Sequence, residues 1–273
     1  MTFPSPADDR TCLVTGASSG IGAEIARILA ARRYGVTLVA RRQERLRDLA
    51  AELASAHGVR AEVLAADLAD PDARAALPTE LARRGLAVDV LVNNAGWSTT
   101  GPLARAERHA ELTMVRVDVE AVVDCCTLFV PAMVERGSGA VLNVASVAAF
   151  QPLPGQAGYA AAKAFVLSYS QAVGAELAGT GVTVTALCPG PVRTEFVDAA
   201  GFGEAAERLP GFVWTDVVTV ARQGVDAMVA GRPVVIPGLA SKMTALSGHL
   251  TPRAVLLPIL KRAWPALGAS GGS

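Results

Sequence analysis

At 273 residues the chain is long enough for one large α/β domain or two small ones, and with about half of it apolar it can bury a full core. Its 25 basic and 25 acidic residues cancel, which argues against nucleic acid as a partner and in favour of a small neutral or amphipathic molecule. Four cysteines without CxxC spacing and three scattered histidines point to neither a metal site nor a disulfide framework, so the cysteines are expected as small apolar residues of a core or interface.

Residues 1–10 are polar and proline-containing, without the basic-then-apolar pattern of a signal peptide, and are expected to be disordered. No stretch reaches the roughly 18 uninterrupted apolar residues of a membrane span, which makes the cytosol the expected compartment. From residue 11 onward, short β-branched or apolar runs at 11–15, 36–40, 61–65, 88–92, 140–145, 182–187 and 233–236 alternate with Ala/Leu/Arg-rich segments of helical period. Such alternation predicts repeated βαβ units: an α/β fold with a doubly wound, seven-stranded parallel sheet and helices on both faces. No linker or charge run divides the chain before about residue 238, so residues 11–238 are expected to form one domain.

The first predicted strand runs into Gly16-Ala17-Ser18-Ser19-Gly20-Ile21-Gly22 and then a helix-forming segment, Ala23 to Arg33. A strand, a glycine turn and a helix N-terminus make an anion site, because backbone can approach a pyrophosphate there and free N–H groups and the helix dipole face it. Alone, the same loop also fits a structural turn without ligand. Further along stand Asp67-Leu68 at the end of the third predicted strand, Asn93-Asn94-Ala95-Gly96 at the end of the fourth, and Ser146 at the end of the fifth. Tyr159-x-x-x-Lys163 follows, and Pro189-Gly190 closes the sixth.

Taken together and in this order, these motifs resemble the short-chain dehydrogenase/reductase family over about residues 11 to 238. The resemblance implies a Rossmann-type dinucleotide-binding catalytic domain and an oxidoreductase that interconverts a carbonyl and an alcohol. In that family Gly16, Ser18, Ser19, Gly20 and Ile21 would cradle the cofactor, Asp67 and Leu68 would hold its adenine edge, and Asn94, Ala95 and Gly96 would steady the sheet beside it. Pro189, Gly190, Val192 and Thr194 resemble a cofactor cap, with Val192 against the nicotinamide and Thr194 on its amide. Tyr159 would be the proton donor or acceptor, Ser146 would bond the substrate oxygen, and Lys163 would bind the ribose hydroxyls. The family usually carries Asn thirteen residues ahead of a Pro in the helix before the fifth strand; counting back from Pro131 gives Asp118. Asp118 either keeps the proton relay of that position or reflects altered chemistry.

At the end of the second strand, where an NAD enzyme would carry an Asp, the chain reads Arg41-Arg42. The pair is expected to hold the 2′-phosphate of NADP(H), Arg41 foremost, although two solvated arginines opening a surface helix fit as well. Hydride transfer needs a proton to move on the oxygen side, and a tyrosine starting near pKa 10 must fall by roughly 3 units, about 4 kcal/mol, to serve at neutral pH. A lysine about 4 Å away supplies on the order of 4 kcal/mol at an effective dielectric near 20, so Lys163 is expected to lower Tyr159. A regulator that only binds NADP would keep Gly16, Gly20 and Arg41 but has no reason to keep Ser146, Tyr159 and Lys163 together.

Between Pro189 and Thr215 the chain is rich in Gly, Pro and aromatics (Phe196, Phe202, Phe212, Trp214), as expected of a substrate lid, and its apolar character favours a lipophilic carbonyl such as a steroid, retinoid, acyl or polyketide-like ketone or aldehyde. Residues 239–267 read as a basic amphipathic helical extension that either closes over the cleft and a subunit interface or rests on an anionic membrane surface. Residues 268–273 are expected to be a disordered tail. Family resemblance further implies a homodimer or homotetramer built on helices that include Glu111 to Glu135 and Ala157 to Ala178.

Overall fold

The computed structural model describes residues 3–199 and 210–268. Seven strands, β1 (Arg10–Thr15), β2 (Val36–Ala40), β3 (Ala61–Ala65), β4 (Ala87–Asn93), β5 (Gly139–Val144), β6 (Val182–Leu187) and β7 (Val234–Val235), form one sheet in the order β3-β2-β1-β4-β5-β6-β7. Every pairing is parallel. The sequence-predicted strands reappear within one or two residues at each end. The last is shorter than predicted, because Pro233 and Pro237 flank it and proline offers no N–H to a ladder.

Connecting helices α1 (Gly20–Ala31), α2 (Gln43–His57), α3 (Pro71–Arg83), α4 (Arg108–Val115), α5 (Ala121–Arg136) and α6 (Ala157–Glu176) are followed by α7 (Glu195–Ala199), α8 (Val217–Val229), α9 (Leu239–Leu250) and α10 (Arg253–Gly268). Side chains alternate across each strand, so Cys12 and Val14 of β1 pack under α1, α2 and α8 with Ile25, Leu46 and Val225, whereas Leu13 faces α3 and α5 with Leu81, Phe129 and Met133. All four cysteines are buried and free within these layers. Parallel strands covered on both faces explain why each strand reads as a nearly continuous apolar run rather than an alternating one. Local chemistry fixes the helix starts: Asp70 caps α3 by accepting from the Asp72 N–H at 3.0 Å, with Pro71 at the first helical position, and Asp216 caps α8 through the Thr219 N–H at 2.9 Å.

Two expectations need correction. The N-terminal segment is not disordered over its described part: the Phe3 ring meets Tyr34 edge-on at 5.6 Å and the Tyr34 hydroxyl donates to the Pro4 carbonyl at 2.8 Å. An aromatic anchor two residues from the start outweighs the polar, proline-containing composition that suggested a loose end. The single helix expected over Glu111 to Glu135 is interrupted by a π-helical turn, Arg116–Glu120, continuous with α4 before it and α5 after it. Beyond Gly268 the expected tail lies outside the described residues, as does Phe202 of the expected lid.

The strand order reverses between β1 and β4, one leading to β2 and the other to β5, and this is the point where an open parallel sheet opens a crevice at its C-terminal edge. Every predicted site motif follows the C-terminal end of a strand there.

Candidate active site

A cleft of about 890 Å³ runs along that edge. It is lined by Gly16, Ser18, Ser19, Gly20 and Ile21 from the first loop, Arg41 and Arg42 from the second, Asp67 and Leu68 from the third, and Asn94, Ala95 and Gly96 from the fourth. Ser146, Tyr159 and Lys163 line it on the other side of the switch point, with Pro189, Gly190, Val192 and Thr194 above. Of the residues predicted from the sequence, Asp118 alone is not on the wall; it is buried directly behind Lys163.

The glycine loop is held in shape by β4. Thr15 Oγ1 donates to the Val92 carbonyl at 3.2 Å and accepts from the backbone N–H groups of Asn94 and Ala95 at 2.9 and 3.1 Å. Asn94 Nδ2 donates back to the carbonyls of Thr15 and Gly16 at 3.0 and 3.2 Å. Gly16 has φ +64°, and a Cβ there would lie 2.7 Å from Asn94 Nδ2, so the position excludes any side chain. The N-cap of α1, Ser19, makes no side-chain cap bond and the first turn carries no acidic residue, leaving the helix N-terminus open toward the cleft. This cradle fits the pyrophosphate of a dinucleotide, and the cleft is long enough to carry the rest of one past Gly96 to Tyr159.

At the adenosine end the two arginines differ. Arg42 donates to Ser18 Oγ at 2.8 Å and Ser19 Oγ at 2.7 Å, and forms an ion pair with Glu195 Oε2 at 2.6 Å. Glu195 also holds Arg45 at 2.5 Å, and the two guanidiniums depress its carboxyl to about 2. Arg41 stands exposed on the rim, unpaired among the described residues. The sequence reading ranked Arg41 ahead of Arg42 and overlooked Glu195, which sits at the start of α7 where only the fold brings it across to α2.

At the catalytic end Ser146 closes β5 and its Oγ accepts from the Ala148 N–H at 3.1 Å, opening a 3₁₀ turn over Val147–Phe150. Tyr159 and Lys163 share one face of α6, where the ammonium lies 5.6 Å from the centre of the phenol ring. Alanines fill the intervening positions, favouring the helix and keeping the face open. Lys163 Nζ donates to the Val144 carbonyl at 3.2 Å and pairs with Asp118 Oδ2 at 2.9 Å, while Asp118 Oδ1 accepts from the Trp97 N–H at 3.0 Å. A side chain at Gly96 would press on both Asp118 and Lys163. Phe196 tilts against Tyr159 at 5.8 Å between centroids, and Trp214 lines the same end with Arg193 stacked 4.6 Å over it, so two aromatics of the expected lid do face the cleft; Phe212 is exposed.

The electrostatics run against the expectation for Tyr159. Burial pushes the phenol up, and Asp118 adds to this; the opposing pull of Lys163 and of the hydrogen bond to Ser146 does not overcome them. Lys163 itself is held above its ordinary value, because the buried Asp118 and the neighbouring phenol outweigh the burial that would discharge it. Asp118 is raised by burial, with Lys163 and the Trp97 N–H partly restoring its charge. Coulomb's law for one Lys–Tyr pair left out two things: the desolvation of the tyrosine and a carboxylate that neutralises the lysine.

Trp97, His109, Thr113, Gln151 and Gln156 also line the cleft and were not anticipated; Leu260 joins them from residues 239–267, one of whose two expected places was over the cleft. No motif marks them, since they come from loops and helix ends that only the fold gathers.

A family profile described as short chain dehydrogenase matches residues 10–204. A short chain dehydrogenase of Pseudocercospora fijiensis is 37% identical over 195 residues, covering 71% of this chain and 63% of that one. The chain thus spans less than two thirds of that relative. A short-chain dehydrogenase from Sphingobium yanoikuyae, solved in complex with NADPH, superposes with a TM-score of 0.79 at 35% identity, covering 91% of this chain and 95% of that one. A bulky-bulky ketone specific alcohol dehydrogenase from Comamonas testosteroni superposes with a TM-score of 0.75 at 27% identity, covering 98% of each chain.

Proposed function

Because the chain belongs to the short-chain dehydrogenase family, an oxidoreductase family that uses a nicotinamide cofactor on small-molecule alcohols and carbonyls, we propose that it reduces a lipophilic ketone or aldehyde with NADPH. One observation carries the reading: Ser146, Tyr159 and Lys163 converge on the wall of a cleft that is continuous with the glycine loop.

When bound, the cofactor would supply the hydride at the end of the cleft near Tyr159. Gly16, Gly20 and the open N-terminus of α1 would hold its pyrophosphate, Asp67 and Leu68 its adenine edge, and Lys163 its nicotinamide ribose. Ser146 Oγ would donate to the substrate oxygen and stabilise the charge that gathers there. Tyr159 would then give its proton to that oxygen. A phenol held above its ordinary value is protonated at neutral pH, the form that a proton donor needs. Asp118 would keep Lys163 charged and in place, as a positioning residue behind the ribose-binding side chain.

NADP(H) is favoured over NAD(H) by the two cations at the end of β2, Arg42 against the glycine loop and Arg41 free at the rim, where no carboxylate of β2 stands to accept a ribose hydroxyl. The NADPH complex of the Sphingobium protein agrees with this choice. Phe196 and Trp214 give the substrate end an apolar wall, and the bulky-ketone specificity named for the Comamonas protein points the same way. A homodimer or homotetramer in the cytosol completes the proposal, with residues 11–238 as its catalytic domain.

The test is NADPH oxidation followed over a panel of lipophilic ketones and aldehydes, with Tyr159→Phe as control. Turnover of a bulky carbonyl that disappears in the variant supports the reading. Cofactor binding without turnover of any carbonyl would favour an NADP-binding regulator instead.

A further inference from the structure

The two C-terminal helices present an exposed apolar surface that the proposed reaction does not use. The inner face of α9 is fixed to the body through Ser241, Ala245 and Gly248, all buried, and Arg253 at the start of α10 donates to the Phe150 carbonyl at 3.3 Å. On the opposite side Leu239, Met243, Leu246 and Leu250 repeat at intervals of four, three and four residues, one continuous stripe, and are 78%, 61%, 53% and 67% exposed. On α10 Val255 and Ile259, one turn apart on one side, and Leu257 on another are exposed as well. Seven of the thirteen exposed large apolar side chains among the described residues therefore fall in this one segment.

Charge identifies the occupant. Residues 239–268 contain Lys242, Arg253, Lys261 and Arg262 and no Asp or Glu, whereas the rest of the chain has 21 lysines and arginines against 25 acidic residues. A two-fold contact that laid this segment on its own copy would set these cations against their own kind with no acid in the segment to pair with them. An anionic lipid surface supplies both what the stripe needs, an apolar layer, and what the exposed Lys242, Lys261 and Arg262 need, phosphate. No helix among the described residues is long and apolar enough to cross a membrane, so the helices would lie in the plane of the surface.

We propose that α9 and α10 form a peripheral anchor that seats the protein on an anionic bilayer. Leu256 is buried and Leu260 lines the cleft, so the same helix that faces lipid on its outer side walls the site on its inner side. A lipophilic substrate would then enter from the bilayer past α10; that last step rests on the function proposed above, while the anchoring does not.

The experiment is co-sedimentation of the full chain with vesicles of phosphatidylcholine alone and of phosphatidylcholine mixed with phosphatidylglycerol. Size-exclusion chromatography and NADPH binding are measured on every protein. Binding to the phosphatidylglycerol vesicles that weakens with added salt is expected. Leu246→Glu with Leu250→Glu, and separately Lys261→Glu with Arg262→Glu, should each lower the partition by about tenfold or more while NADPH binding persists. The salt series uses the unmodified protein and stands even if a variant fails to fold. Failure to sediment, or equal binding to both kinds of vesicle, would overturn the proposal. So would a dimer that Leu246→Glu with Leu250→Glu converts to monomer while the unmodified protein ignores vesicles, since the stripe would then be an interface between copies. A carbonyl screen without hits would leave the vesicle result intact.

Discussion

The Asp118 carboxylate, fully buried, lies 2.9 Å from the ammonium of Lys163, which borders the cleft, so the lysine beside Tyr159 is already charge-matched before any substrate arrives. Asp118→Asn removes one of the two influences that raise Tyr159 and the main one that raises Lys163. The protonated phenol required for reduction exists below its pKa, so lowering that pKa moves the loss of activity to lower pH. A pH profile of NADPH oxidation should show the alkaline limb displaced downward, with the maximum rate changed by less than about tenfold, roughly 1.4 kcal/mol. An unmoved limb would mean that Tyr159 does not feel the carboxylate. Asp118→Ala, which strands a buried ammonium, should in addition destabilise the fold by about 3–5 kcal/mol in urea unfolding.

Tyr159→Phe and Lys163→Ala should separate chemistry from affinity. Losing the phenolic oxygen should reduce turnover by at least about a hundredfold while NADPH affinity, measured by fluorescence, stays near its original value. Losing the lysine should damage both, since the charge and the ribose contact go together. Full activity in Tyr159→Phe would remove this residue from the mechanism.

At the adenosine end, Arg41→Asp and Arg42→Ala should each weaken NADPH relative to NADH. A charge-assisted hydrogen bond contributes about 1.5–3 kcal/mol, so each change should cost between about ten- and a hundredfold in the ratio of dissociation constants. Glu195→Gln should act in the opposite direction, because it frees Arg42 for phosphate. Half-exposed ion pairs contribute at most about 1 kcal/mol, so the gain should not exceed about fivefold. Equal cofactor preference in the unmodified protein would defeat this account.

Arg74 is 1% exposed and ties three elements together, donating to the Leu68 carbonyl at 2.7 Å, to Asp124 at 2.6 Å and to Glu120 in the π-helical turn. Arg74→Met keeps most of the volume but drops these bonds. Urea unfolding should report a loss of about 2–4 kcal/mol, and NADPH affinity should weaken because the Asp67-Leu68 loop loses its brace. Unchanged affinity in a destabilised variant would confine Arg74 to stability.

Much of this was legible beforehand for a physical reason. Strands buried on both faces write themselves as apolar runs, and Gly16, Gly20, Ser146, Tyr159 and Lys163 belong to local patterns with fixed spacing. Glu195 and Arg74 belong to none, since each works through partners 50 or more residues away along the chain or on another element. The direction of the Tyr159 shift was misjudged because burial, its largest cause, is set by the fold and not by spacing, and because the charge of Asp118, 41 positions away in the numbering, is felt at the phenol as well.

The π-helical turn at Arg116–Glu120 makes the 29 residues of α4, the turn and α5 one rod with an extra residue wound into it. Its i→i+5 bonding winds five residues through about the arc that four cover in a regular helix, so the turn takes up its extra residue without changing the face that α4 presents. His109, Ala110 and Thr113 therefore keep facing the cleft, and Met114 stays packed beside Tyr159. The rod thus has one point where its length can differ without turning its ends, and that point holds Asp118 against Lys163. A chain shortened by one position between Arg116 and Glu120 would close to a regular α-helix and keep the face of α4 that lines the cleft, the change falling on the turn itself and on Asp118 within it.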